Sequence, residues 1–92
     1  MSLQWLFDVI KDRQNNPTDG SYTSSLLADG LPKIAQKVGE EASETVVAAL
    51  AQEDARLIEE VADLTYHVLV LLAARNLSPA DVITELERRH KH

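Results

Sequence analysis

Two acidic stretches of the sequence, KVGEEASETV and EEVADL, carry carboxylates at the spacing of helix neighbours. The first contains Glu40, Glu41 and Glu44, and the second contains Glu60 and Asp63. Residues three or four positions apart share one face of an α-helix, so each stretch would hold its carboxylates on one side. Like charges at this spacing repel one another, and a counter-charge is needed where they pack closely.

A divalent cation is the counter-charge that Glu41, Glu44, Glu60 and Asp63 predict. If two helices form an antiparallel hairpin that turns at residues 52–54, Glu44 lies about nine residues before the turn and Asp63 about nine after it. The two carboxylate pairs then meet at one height, where they cannot all stay ionised without a cation. Mg²⁺, or Mn²⁺ in its place, prefers oxygen ligands and commonly binds substrate phosphates as well, which favours phosphoanhydride hydrolysis.

An ordinary solvated acidic face is the alternative, and for Glu40 alone it is equally well supported. The distribution of charge argues against it for the group. The net charge is −6, and residues 40–63 hold eight acidic residues and a single base, Arg56, whereas a solvated helix face usually mixes its signs. A redox di-metal bundle would use Glu-x-x-His pairs, but the third residue after Glu60 is Asp63.

Apolar residues at helical spacing predict an all-α chain of four helices, forming one domain over residues 1–92. The predicted helices run over Leu3–Asn15, from Leu31–Pro32 to near Gln52, over about Asp54–Arg75, and from a capping box at Ser78 and Asp81 to about His90. NNPTDG ends the first helix, and SYTSSLLADG is predicted to be a hydroxyl-rich loop with one helical turn that stops at Gly30. The expected fold is a helical bundle around an antiparallel hairpin.

The segment Val68–Ala74 is apolar on almost every side of its predicted helix. A helix that is apolar all round is buried all round, and a chain of 92 residues has a thin core of its own. We therefore expect a second copy of the chain to cover this segment, which gives a homodimer or a higher homo-oligomer. A monomeric antiparallel bundle is the alternative.

Composition argues against several other classes of protein. The acidic net charge disfavours nucleic-acid binding through a basic face. The longest apolar run has seven residues, whereas a membrane-spanning helix needs about 20. The sequence has no cysteine and no signal pattern at its N-terminus, so a soluble protein of the reducing cytoplasm is expected.

The carboxylate spacing also carries a family resemblance. Glu41-x-x-Glu44, then fifteen residues, then Glu60-x-x-Asp63 matches the ExxE…ExxD metal motif, and the chain resembles the MazG-like all-α nucleoside triphosphate pyrophosphohydrolases. Within that superfamily, SYTSSLLADGLPKIAQKVGEEASETVVAAL and LIEEVADLTYHVLVLL are similar to the phosphoribosyl-ATP pyrophosphatase family of histidine biosynthesis. The similarity extends from about Leu3 to His90.

The resemblance implies a Mg²⁺-dependent hydrolysis of phosphoribosyl-ATP between its α and β phosphates, which gives phosphoribosyl-AMP and pyrophosphate. It implies that Glu41, Glu44, Glu60 and Asp63 hold the metal. Glu40 and Glu41 would be catalytic, with Glu40 as a further ligand or as the base that orients water. Lys37 would face the phosphates as a point charge. The alternative within the superfamily is removal of dUTP or of non-standard nucleoside triphosphates.

Four other polar residues are candidates for substrate binding. Ser21, Tyr22 and Thr23 offer hydroxyls suited to a phosphate or a ribose, and Arg13 offers a charge for a phosphate. Each has a simpler interpretation: a cap of the short helix for the hydroxyls, and an ordinary surface position for Arg13. His67 falls on the carboxylate face, but a lone histidine there is better interpreted as a hydrogen-bonded core residue than as a ligand.

Overall fold

The computed structural model describes residues 1–91, and over these residues the chain forms five α-helices and no strand. The helices are α1 (Leu3–Asn15), α2 (Tyr22–Asp29), α3 (Leu31–Ala51), α4 (Asp54–Ala74) and α5 (Pro79–Arg89). The all-α class is confirmed, and four of these helices begin and end within about one residue of the predicted bounds. No helix among residues 1–91 is both long and apolar enough to cross a bilayer.

The segment SYTSSLLADG differs from its prediction. It forms the eight-residue helix α2 instead of a loop with a single turn, and Ser21 is its N-cap, accepting a hydrogen bond from the Ser24 amide. The hydroxyls of Tyr22 and Thr23 are therefore presented from a helix, which fixes their directions. Gly30, with φ of +93°, ends α2 and lets α3 begin at once with Pro32 in its first turn.

Helices α3 and α4 form an antiparallel hairpin that dominates the packing of the chain. Only Gln52 and Glu53 separate them, both in extended backbone conformations. The far end of α4 closes in a Schellman motif: Asn76 takes a φ of +59°, and the Leu77 amide donates to the Leu72 carbonyl at 2.8 Å. The predicted stop at Asn76 is confirmed.

The core lies at the end of the hairpin away from its turn, where α1 and α2 pack against α3 and α4. Its buried members are Phe7, Ile10, Leu26, Ile34, Leu69, Val70 and Ala73. Every residue of Val68–Ala74 is buried or half-buried within the single chain. The chain's own α1 and α2 pack against this segment, so Leu69, Val70 and Ala73 need no second subunit to be buried, and cover of the half-buried residues by a second copy stays a prediction.

The turn end of the hairpin is uncovered in the single chain. Its exposed apolar side chains are Val46, Val47, Leu50, Ile58 and Val61. The radius of gyration is 14.4 Å, against about 12 Å for a compact domain of this length, because this end projects from the bundle. The carboxylate residues lie between the covered core and the projecting end.

Candidate metal centre

Three of the predicted ligands come together at the seam between α3 and α4. Glu41, Glu60 and Asp63 each offer an oxygen, and the three oxygens lie within 4.8 Å of one another. We call these three residues the carboxylate cluster. Glu41 and Glu60 are only 7% and 4% exposed, whereas Asp63 is exposed. The hairpin therefore brings Glu41 together with Glu60 and Asp63, which lie 19 and 22 positions further along the chain, as its predicted register requires.

Two oxygens of the carboxylate cluster lack hydrogen-bond partners. Oε2 of Glu41 and Oε2 of Glu60 are buried and accept no hydrogen bond from any residue in the described part of the chain. Buried polar atoms are normally paired, since an unpaired one costs free energy. An all-oxygen set with unpaired buried lone pairs and one solvent-accessible member suits a hard divalent cation such as Mg²⁺ or Mn²⁺.

The raised pKa of Glu60 reflects its burial and the same crowding of carboxylates. Burial, followed by the proximity of the neighbouring Glu44 carboxyl, raises the pKa of the Glu60 carboxyl above its ordinary value, and the charge of Asp63 adds to the effect. The Arg56 guanidinium opposes the shift, because its Nη2 donates to Oε1 of Glu60 at 2.5 Å. Burial and the neighbouring carboxylates together outweigh the paired Arg56, so the pKa of Glu60 stays above its usual value.

Glu44 lies beside the carboxylate cluster and completes the predicted motif. It is exposed, and it lines a shallow cavity together with Glu60 and Arg56. Its oxygens are not among the three that converge within 4.8 Å. The structure therefore places Glu44 within reach of the seam but further from its centre than Glu41.

Lys37 and Glu40 form the outer side of the same site, one turn before Glu41 on α3. Lys37 Nζ donates to Oε2 of Glu40 at 3.3 Å and lies 3.9 Å from Oε1 of Glu41. The hydrogen bond to Glu40 raises the pKa of Lys37, so the ammonium stays charged. Hydrogen bonds from Gln36 and then Lys37 lower the pKa of the exposed Glu40 carboxyl, which stays ionised.

Helix α2 brings two of its hydroxyls against α4. The Tyr22 hydroxyl is hydrogen-bonded to Nε2 of His67 at 3.0 Å, and the Thr23 hydroxyl is hydrogen-bonded to the hydroxyl of Tyr66. His67 is 5% exposed and its Nδ1 lies 2.7 Å from the carbonyl oxygen of Asp63. The interpretation of His67 as a hydrogen-bonded core residue is confirmed.

Arg13 and Ser21 make no hydrogen bond or ion pair with the carboxylate cluster among the described residues. Arg13 pairs with Asp12 at 2.8 Å and lines a cavity of about 320 Å³ between α1, α2 and the start of α3, a cavity to which no cluster residue contributes. The side-chain oxygen of Ser21 caps the N-terminus of α2. The simpler interpretation of Ser21 as a helix cap is confirmed, and a contact of either residue with substrate stays a prediction.

Sequence reasoning overlooked two contacts of the site. The Arg56–Glu60 pair was readable from an i,i+4 spacing on α4 and from Arg56 being the single base among residues 40–63. The contact of Tyr22 with His67 joins residues 45 positions apart. No local pattern signals it, because it depends on how α2 docks against α4.

Comparison with known protein families gives one match over almost the whole chain. The family model described as phosphoribosyl-ATP pyrophosphohydrolase matches residues 3–90. This range includes the carboxylate cluster, Lys37 and the whole of α2.

Three relatives illustrate the degree of similarity, and each is named phosphoribosyl-ATP pyrophosphatase. The protein of Pyrobaculum calidifontis is 55% identical over 97% of this chain and 95% of its own length. That of Sulfurisphaera tokodaii is 52% identical over the same shares of both chains. That of Parvibaculum lavamentivorans is 54% identical over 95% of this chain and 80% of its own.

Proposed function

The chain belongs to the phosphoribosyl-ATP pyrophosphohydrolase family, and from this premise we propose that it hydrolyses phosphoribosyl-ATP with the help of a divalent cation held at the carboxylate cluster. The reaction adds water across the α–β phosphoanhydride and releases phosphoribosyl-AMP and pyrophosphate, the second step of histidine biosynthesis. The observation that carries the metal requirement is the convergence of Glu41, Glu60 and Asp63 with two buried, unpaired oxygens.

Mg²⁺ is the proposed cation, and Mn²⁺ is the alternative with the same ligand preference. Glu41, Glu60 and Asp63 would hold it, with Glu44 as the fourth carboxylate of the motif. When bound, the cation would polarise the phosphoryl oxygens and offset the negative charge of the triphosphate. Without a cation, an acidic site of this kind would repel such a substrate.

Lys37 and Glu40 have complementary proposed roles. Lys37 is charged and lies beside Glu40 and Glu41, so it can attract a phosphate oxygen that reaches the outer side of the cluster. The pKa of Glu40 is lowered by the hydrogen bonds from Gln36 and Lys37, which makes it a weak proton acceptor. We therefore assign it the orientation of the attacking water through a hydrogen bond, with a minor part in removing its proton.

A homodimer is part of the proposal, formed through the uncovered turn end of the hairpin. Leu50 and Ile58 are 84% and 68% exposed there, on adjacent helices, and exposed apolar side chains at one end of a hairpin favour association. Two hairpins packed through these faces would make a four-helix bundle. A cytoplasmic location follows from the proposed substrate, which derives from ATP.

The rival function is hydrolysis of dUTP or of a non-standard nucleoside triphosphate. The carboxylate cluster would be the same, because it acts on the phosphates that all these substrates share. The family match favours phosphoribosyl-ATP, since the relatives at 52–55% identity carry that substrate in their names.

Pyrophosphate release across phosphoribosyl-ATP, ATP and dUTP tests the proposal. We expect kcat/KM to be highest for phosphoribosyl-ATP by at least two orders of magnitude, about what one or two unpaired buried polar contacts cost the poorer substrate. Equal turnover of the three substrates, or a preference for dUTP, would overturn the assignment of substrate.

A further inference from the structure

His67 is a buried titratable side chain that has no role in the reaction proposed above. It lies on α4, one turn after Asp63, and both of its ring nitrogens are hydrogen-bonded. Nδ1 lies 2.7 Å from the Asp63 carbonyl oxygen, and Nε2 lies 3.0 Å from the Tyr22 hydroxyl. The two partners together determine where the imidazole proton resides.

A carbonyl oxygen can only accept a hydrogen bond, so Nδ1 of His67 must carry the proton that it donates to Asp63. In the neutral ring Nε2 is then an acceptor, and the Tyr22 hydroxyl must donate to it. Because the single hydroxyl proton of Tyr22 is donated to Nε2 of His67, the Tyr22 oxygen offers only lone pairs to any further partner. Tyr22 remains 54% exposed, so a ligand can approach it.

We propose that His67 is a positioning residue that fixes the Tyr22 hydroxyl as a hydrogen-bond acceptor, and that Tyr22 thereby binds a sugar hydroxyl of the nucleotide substrate. Phosphate oxygens are themselves acceptors, and an oriented lone pair repels them. A ribose hydroxyl is a donor and satisfies it. The part of the inference that concerns substrate rests on the proposed function, whereas the tautomer of His67 does not.

The surroundings of Tyr22 fit a site in which a neighbouring positive charge binds phosphates and Tyr22 binds a sugar hydroxyl. Lys37 lies near enough that Tyr22 contributes to the raised pKa of the ammonium, after the larger effect of the hydrogen bond with Glu40. Positive charge for phosphates and a lone pair for a sugar hydroxyl thus stand side by side. The T-shaped packing of the Tyr22 and Tyr66 rings against His67, with centroids 6.0 and 5.1 Å from the imidazole, holds the ring between them.

Nitrogen-15 NMR of the histidine rings in mildly alkaline buffer tests the tautomer directly, on the metal-free protein and without any activity. His67→Gln identifies the His67 signals by their loss. We expect a protonated Nδ1 and an unprotonated Nε2. A neutral ring protonated on Nε2 would overturn the proposal, because Tyr22 could then donate to a phosphate.

Two ligands test what Tyr22 recognises. Tyr22→Phe should raise KM for phosphoribosyl-ATP about three- to tenfold, the worth of one hydrogen bond, with kcat nearly unchanged. Its affinity for inorganic tripolyphosphate with Mg²⁺, measured by calorimetry, should equal that of the wild type. Equal losses for both ligands would overturn the assignment of a sugar hydroxyl.

Variants of His67 separate positioning from mere structure. His67→Leu should raise KM as much as Tyr22→Phe does, and the double variant should lose no more than either single variant. His67→Gln should recover part of the loss, because its amide oxygen can still accept from Tyr22. Additive losses would contradict a shared role. A chain that turns over nothing but shows the Nδ1–H tautomer would support the assignment of His67 and overturn only the proposed function.

Discussion

Arg56 donates from Nη2 to Oε1 of Glu60 at 2.5 Å, so a half-exposed guanidinium is bound to a 4% exposed member of the carboxylate cluster. The other oxygen of Glu60 has no partner among residues 1–91. The Arg56 guanidinium therefore neutralises the carboxylate cluster in part and leaves lone pairs for a divalent cation from solution.

The first prediction concerns this pair. In Arg56→Gln the metal-free protein should melt at a lower temperature than the wild type, because a buried carboxylate loses its counter-charge. The further rise in Tm that Mg²⁺ produces should be larger in the variant, since the metal replaces the missing charge and no longer shares Glu60 with Arg56. Thermal melts with and without Mg²⁺ measure both quantities.

Arg88→Gln is the matched control for Arg56→Gln. Arg88 is also paired with an acidic residue on its own helix, since it donates to Glu85, but Glu85 is 42% exposed and remote from the carboxylate cluster. Exposed pairs contribute little. The rise in Tm that Mg²⁺ produces in Arg88→Gln should equal that in the wild type. A larger rise would mean that net charge alone governs the effect.

The second prediction concerns the ligands. At about ten times its Kd, Mg²⁺ should stabilise the wild type by about 1.4 kcal/mol, a Tm rise of about 6–11 °C for a domain of this size. Asp63→Asn should remove most of this rise. Glu59→Gln, which changes an exposed carboxylate next to Glu60, should keep it. Differential scanning calorimetry checks both, and identical rises in the two variants would exclude this site.

Contacts that depend on local sequence could be predicted from the sequence, and contacts that depend on how helices dock against one another could not. The meeting of Glu41 with Glu60 follows from helical spacing and a two-residue connection, both of which are local. The direction of the Thr23 hydroxyl does not, because it depends on α2 continuing for eight residues. The weak apolar periodicity of YTSSLLAD did not indicate that length. Cover for Val70 from the chain's own α1 and α2 was equally a matter of docking, which spacing along one helix cannot specify.

The third prediction concerns Thr23, whose hydroxyl is already bonded to that of Tyr66. Thr23→Val leaves the Tyr66 hydroxyl without this partner and should lower the free energy of unfolding by about 1 kcal/mol. Tyr66→Phe should cost a similar amount, and the double variant should cost no more than the larger single loss. Urea denaturation measures the three. Full additivity would show that the two hydroxyls do not depend on each other.

The fourth prediction concerns assembly. Light scattering should report at least a dimer at micromolar concentration, and Leu50→Asp should shift it to a folded monomer, because Leu50 is 84% exposed in the single chain and supports none of its core. Val70 is unsuitable for this test, since it is fully buried within one chain and its replacement by Lys would unfold the protein.

Leu3→Asp is the control for Leu50→Asp. Leu3 is 57% exposed, on α1 and far from the turn of the hairpin in the sequence. It should remain at the size of the wild type. Dissociation by both variants, or by neither, would contradict an interface at the turn end of the hairpin.

Phosphorus-31 NMR of phosphoribosyl-ATP during turnover tests the central claim most directly, because it identifies the bond that is cleaved. With Mg²⁺, the wild type should produce phosphoribosyl-AMP and pyrophosphate in equal amounts. After chelation of the metal, or in Asp63→Asn, both products should fall by at least a hundredfold, the loss expected when a main source of transition-state charge stabilisation is removed. Release of inorganic phosphate from the γ position, or full turnover by Asp63→Asn, would contradict the account.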